Sequence, residues 1–140
     1  YMDVRKLLRE AAQQKVDGIV LDLSRNGGGL LAEAVQLAGL FLGAGGVVAT
    51  KDRGDRVMIL ATGVRAEGPD RRKVISFPAE KASSVYSGPL VVLTSRLSAS
   101  ASEIVAGALK DHGRAENVQE ELGDRAQCDR QKMPRMLLIL

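Results

Sequence analysis

Hydrophobic residues recur every three to four positions over residues 3–15, where Val4, Leu7, Leu8 and Ala11 alternate with arginine and lysine. This spacing predicts an amphipathic helix. The pattern then changes to the short, branched, nearly continuous apolar run VDGIVLDL (16–23), which predicts a buried strand. A polar glycine turn, SRNGGG (24–29), separates it from a second helical pattern over residues 30–42, with Leu31, Ala34, Val35, Ala38 and Leu42 on one face. Gly43, Gly45 and Gly46 end that helix as C-terminal glycines do. GVVATK (46–51) predicts the next strand, so that residues 16–51 read as a βαβ unit. RVMILA (56–61) predicts a further strand, and residues 62–84 read as a surface excursion of hairpin type around KVISF.

SGPLVVLTS (87–95) carries the strongest strand signal. Gly88-Pro89 marks its start, and Leu90 to Leu93 is continuously apolar, as in a parallel strand buried on both faces. RLSAS leads into a helix from Ala101 to Lys110, with Ile104, Val105, Ala108 and Leu109 as its apolar stripe, and Asp111-His112-Gly113 closes it. After Ala115 the pattern is lost. Residues 116–135 hold nine charged residues in twenty and no strand periodicity, and MLLIL ends the chain. No internal repeat is present.

Composition narrows the picture. A chain of 140 residues suffices for one modest domain. With 3% aromatic residues its core must be aliphatic. A formal charge of +3, without basic runs interleaved with aromatics, gives no reason to expect nucleic-acid binding. The single cysteine, Cys128, excludes an internal disulfide, and one histidine sixteen positions before it makes no metal-ligand set. No secretory leader opens the chain, which begins at a tyrosine and reads as a fragment. No apolar stretch is long enough to span a bilayer.

Two segments carry candidate chemistry. The first is Asn26-Gly27-Gly28-Gly29, between a strand and a helix. Its backbone N–H groups suit a phosphate or the oxyanion of an acyl-transfer intermediate, and a tight packing turn is the plain alternative. Leu30-Leu31 follow where a phosphate-binding Walker loop needs Lys-Ser/Thr, and the spacing is not that of a dinucleotide fingerprint. The second is Ser98-Ala99-Ser100-Ala101-Ser102-Glu103. A serine at a helix N-terminus suits a nucleophile, because the dipole favours a developing alkoxide. It equally suits a helix cap. Five alternating small residues exceed what a cap needs and permit close approach of another backbone.

A serine nucleophile needs a base. His112 is twelve residues along the same predicted helix, about 18 Å from Ser100, and cannot reach it. Asp111 and Lys110 fail likewise, and Asp22 alone makes a weak partner. A lysine supplied from elsewhere remains, and the segment after Ala115 is the place to seek it.

VDGIVLDLSRNGGGLLAEAVQLAGLFL and YSGPLVVLTSRLSASASEIVAGALKDHGRA together resemble the carboxy-terminal processing, or tail-specific, protease family, peptidase family S41. The likeness covers residues 1–61 and 85–115. It implies an α/β fold, a protease core related to the ClpP/crotonase arrangement with ββα-type units, here incomplete at its C-terminus. It implies peptide-bond hydrolysis at or near protein C-termini through an acyl-enzyme, by a Ser-Lys dyad. Ser100 would be the nucleophile, Gly28 and Ala101 the oxyanion donors, and Asp111 and Glu103 supporting acids. No cofactor or metal is expected, and the partner is a protein or peptide substrate. The resemblance further implies a periplasmic or cell-envelope setting and a PDZ domain elsewhere in the parent protein.

One departure bears on activity. The family continues after Gly-Arg-Ala with an apolar strand and a Thr-x-Gly-Lys-Gly-x-x-Gln segment that carries the lysine. Here Arg125 stands twenty-five positions after Ser100, and arginine does not deprotonate in proteins. Lys132 is the nearest lysine, in surroundings that match nothing, and Val118 is all that remains of the apolar strand. The expectation is therefore a partial protease core at residues 1–115, and an atypical tail at 116–140 left by a shifted reading frame or a truncation. Such a chain would be inactive or nearly so. The alternative is a non-catalytic peptide-binding module. An acyl-CoA enzyme of crotonase type is a third reading, which the serine motif disfavours.

Overall fold

The computed structural model describes residues 1–63, 73–78, 84–119 and 136–139. Its elements are α1 (Met2–Gln14), β1 (Gly18–Asp22), α2 (Leu31–Leu42), β2 (Gly45–Lys51), β3 (Val57–Thr62), β4 (Lys73–Phe77), β5 (Leu90–Thr94), α3 (Ala101–Asp111), β6 (Glu116–Gln119) and β7 (Met136–Ile139). The mixed α/β class expected from the sequence is the one observed.

The apolar run of β1 is central because it has a partner on each side. The larger sheet has the order β6-β5-β1-β7, and all three of its pairings are parallel. Ile19 lies opposite Leu90 and Leu21 opposite Val92. Ile19, Leu21, Leu90 and Val92 are all buried, together with Leu8 of α1, Phe41 of α2 and Val105 and Leu109 of α3. Each such apolar side chain contributes about 1.5–3 kcal/mol on burial. The core is thus mainly aliphatic, with Phe41 and Tyr86 as its aromatic members.

Three expectations about topology are corrected. The first concerns β2, which does not return beside β1. It belongs to a separate sheet of order β2-β3-β4, so residues 16–51 form no βαβ unit. The physical reason lies at the end of α2. Thr62, buried in β3, donates its hydroxyl to the Gly43 carbonyl at 2.6 Å. A Cβ on Gly39 would lie 2.6 Å from the Thr62 methyl. The helix is drawn onto β3, and β2 pairs antiparallel with that strand.

The second concerns KVISF, which forms β4 and pairs parallel with β3 rather than as a hairpin arm. The third concerns the strand that the sequence signal lacked after Ala115. Glu116–Gln119 forms β6, parallel to β5, with Val118 opposite Leu93. The terminal MLLI run forms β7 beside β1, with Ile139 buried. Arg125, Cys128 and Lys132 lie outside the described residues.

Candidate active site

Both candidate segments leave the C-terminal ends of neighbouring parallel strands. The glycine loop follows β1 and the serine segment follows β5. Open α/β sheets place their ligand sites at those strand ends. The two loops are stitched together by their serines. Ser95 Oγ donates to the Ser24 carbonyl, and Ser98 Oγ donates to the Leu23 carbonyl at 2.7 Å. Ser102 Oγ donates to Asn26 Oδ1 at 2.8 Å, and the Ala99 N–H donates to the Asn26 carbonyl at 3.3 Å. Asp22, at the end of β1, accepts the Ser24 N–H at 2.9 Å and so shapes the loop rather than meeting Ser100.

The three alternating serines are therefore not equivalent. Ser98 and Ser102 are buried and tie the segment to the glycine loop. Ser100, between them, is exposed. It forms the N-cap of α3 with φ 53° and ψ −117°. Positive φ is unfavourable for a side chain, and such strain is found at nucleophiles presented on a sharp strand-to-helix turn. The turn is held by Glu103, whose Oε2 accepts the Ser100 N–H at 2.8 Å. A carboxylate there also suits the positive end of the helix.

Gly28 is the part of the glycine loop that touches this turn. Its φ is +99°, and a Cβ on it would lie 2.6 Å from the Ala99 carbonyl oxygen and 2.9 Å from Ser100 Cβ. Gly27 and Gly29 face open space. The Gly28 N–H donates to Asn26 Oδ1 at 2.9 Å, closing an Asx-type turn. Among the described residues the Ala101 N–H, at the first position of α3, has no acceptor. A hydroxyl on a strained turn, a free helix-terminal N–H beside it and a glycine backbone pressed against both can hold a tetrahedral oxyanion.

The structure thus brings Gly28, Ser100, Ala101 and Glu103 together. Asp111 lies at the opposite end of α3, and so does His112, whose Nε2 is 2.8 Å from the Gly46 carbonyl oxygen. Two residues escaped the sequence reading. Asn26 was visible only as the start of a glycine turn, although an Asn two residues before a glycine is a known turn signal. Arg114 donates to the Phe41 carbonyl at 3.2 Å and to the Tyr86 carbonyl at 2.8 Å, anchoring the end of α2, and its sequence neighbourhood gave no sign of this. Among the described residues no group of three or more His, Cys, Asp or Glu is placed to hold a metal ion, and no helix is long and apolar enough to cross a membrane.

Known proteins resemble this arrangement. The model of peptidase family S41 matches residues 1–126. The tail-specific protease of Haemophilus influenzae is 38% identical over 112 residues, which is 80% of this chain and 14% of that protein. The carboxyl-terminal-processing protease of a Synechocystis species is 38% identical over 122 residues, 86% of this chain and 24% of that protein. Among solved structures, the photosystem II D1 C-terminal processing protease superposes with a TM-score of 0.62 at 33% identity, covering 81% of this chain and 25% of that one. The chain therefore spans no more than about a quarter of the length of these relatives. With the family model matched over most of its length, the chain belongs to peptidase family S41 and is by family a serine-type peptidase.

Proposed function

We propose that this chain is part of the catalytic core of a processing peptidase that cleaves proteins at or near their C-termini. Ser100 is the nucleophile of that reaction. Its hydroxyl oxygen attacks the scissile carbonyl, a base takes the proton, and the carbonyl oxygen becomes an oxyanion. The Ala101 N–H and the positive end of α3 stabilise that charge, with the Gly28 N–H as second donor. Collapse expels the amine and leaves an acyl-enzyme for water to hydrolyse. The base of the Ser-Lys dyad is a lysine, and near the position expected for it this sequence has Arg125. The chain as it stands is accordingly inactive or nearly so. For the parent protein we place the activity in the periplasm or cell envelope, with a PDZ domain outside this chain.

The observation that carries the reading is the positive-φ Ser100 at the head of α3 against Gly28. The test is proteolysis of an unfolded protein by the purified 140-residue chain beside its Ser100→Ala variant. We expect equal background from both, and Ser100-dependent cleavage would overturn the loss of activity. Arg125 also favours a second reading, in which the site holds a peptide without turning it over. Peptide binding that survives Ser100→Ala, with no cleavage, is its signature.

A further inference from the structure

We infer that Asn26 is the positioning residue of the oxyanion-binding pair, acting with Ser102; this rests on the reading of Ser100 as an acyl-transfer nucleophile. One side chain governs both loops. Asn26 Oδ1 accepts the Gly28 N–H at 2.9 Å and the Ser102 hydroxyl at 2.8 Å. Its backbone carbonyl accepts the Ala99 N–H, and its own N–H donates to the Leu23 carbonyl at 3.0 Å. Asn26 thus contacts the residue before the nucleophile, the second residue after it and the glycine pressed against it.

The amide's orientation follows from its neighbours. A backbone N–H can only donate, so the atom facing Gly28 is the carbonyl oxygen, and the NH₂ group is turned away. That oxygen fixes the Gly28 peptide at φ +99°. Through Ser102 it also fixes the distance from the loop to the first turn of α3, where the Ala101 N–H lies. Ser102 is buried, so without Asn26 its hydroxyl would lose its acceptor in a desolvated place. An aspartate would accept the same two bonds but set a negative charge beside the forming oxyanion. The Gly28 N–H is shared between the Asn26 oxygen and the oxyanion when one forms. The amide itself touches no reacting atom.

The test uses a peptidyl boronic acid and the same peptide as a C-terminal amide, each titrated against the full chain. On capture, Ser100 Oγ forms a bond to boron, the hydroxyl proton leaves to solvent, and the trigonal boron becomes a tetrahedral anion in the oxyanion position. Relative to the unaltered chain, Asn26→Ala and Ser102→Ala are expected to weaken the boronate about tenfold to a hundredfold, and the amide peptide by less than about twofold. Ser102→Thr, which keeps the hydroxyl, restores most of the difference. Asn26→Asp keeps both hydrogen bonds and the fold yet loses the boronate, and serves if Asn26→Ala does not fold. Boronate affinity that is unchanged or tighter in folded variants overturns the positioning role. So does an equal loss of both ligands, which marks a purely structural effect. Absence of any adduct on the unaltered chain overturns the acyl-transfer reading of Ser100 and this role with it.

Discussion

Ser100 holds a backbone conformation that its own side chain opposes, and this makes it separable from its neighbours by stability. At φ 53° a glycine is unstrained, so Ser100→Gly should be more stable than Ser100→Ala by about 1 kcal/mol, with the hydroxyl lost from both. Urea unfolding midpoints of the two variants decide this, and equal midpoints would mean the turn stores no strain. Gly28 poses the converse case. A methyl there meets the Ala99 carbonyl and Ser100, so Gly28→Ala should cost about 1–3 kcal/mol and abolish capture of a boronate at Ser100. Gly27, whose added Cβ meets open space, is the control, and its alanine variant should keep capture. At this scale the sequence showed that a serine near the head of α3 could be a nucleophile, and the family resemblance selected Ser100. What it could not show is why Ser98 and Ser102 are excluded. Their acceptors, the Leu23 carbonyl and the Asn26 side chain, are 75 and 76 residues away along the chain. Spacing within SASAS carries no record of such partners.

The helices and the central strands were legible because periodicity reports which face is buried. The residues buried in α3 include Val105, Ala108 and Leu109 of the expected stripe. Which sheet a strand joins was not legible, since β2 was assigned from its own composition while the contacts that divert it belong to Thr62 and Gly39. The end of α2 depends on one more remote group, Arg114, which spans the Phe41 and Tyr86 carbonyls and lies 5.8 Å from the Tyr86 ring centroid. Arg114→Ala should cost about 2 kcal/mol by leaving carbonyls without donors. Arg114→Lys should recover only part of it, since an ammonium lacks the planar fork. The burial of Tyr86 beside this contact gives a pH signature. Burial of the Tyr86 phenol raises its pKa above the ordinary 10.0, against the opposing pull of Arg114. In alkali the unfolded chain then releases this proton before the folded one does. The contribution is fully present below pH 10 and is lost as pH rises through the raised value. Tyr86→Phe should therefore flatten the alkaline fall in stability, and chemical denaturation at pH 9 and above measures it; an unchanged slope would remove Tyr86 as its source.

On the scale of the whole molecule, the site is a property of two strands and of what flanks them. β1 and β5 deliver the glycine loop and the serine turn, and each is covered on its outer side by a strand from beyond Ala115. β6 pairs with β5 from Glu116 to Gln119, and β7 pairs with β1 from Met136 to Ile139. The charged composition of residues 116–135 hid β6, because a four-residue strand against a preformed edge needs little periodicity of its own. Backbone hydrogen bonds to an apolar neighbour suffice. It follows that the atypical C-terminal part matters to the fold whatever its origin. A chain ending at Ala115 would leave the outer edges of β5 and β1 without these partners, and two such unpaired apolar edges pair with other molecules. We expect that truncated chain to elute from a sizing column as aggregates, and to lose amide-exchange protection over residues 18–22 and 90–94. A soluble monomer with those amides still protected would show that β6 and β7 are dispensable and that β1 and β5 hold the site unaided. If only the Met136–Ile139 pairing is removed, by ending the chain at Arg135, β5 keeps β6 and only β1 is uncovered. Protection should then fail at those amides of 18–22 that face β7 and persist at Ile19, which bonds to the Pro89 carbonyl, and at 90–94, which separates the contribution of β7 from that of β6.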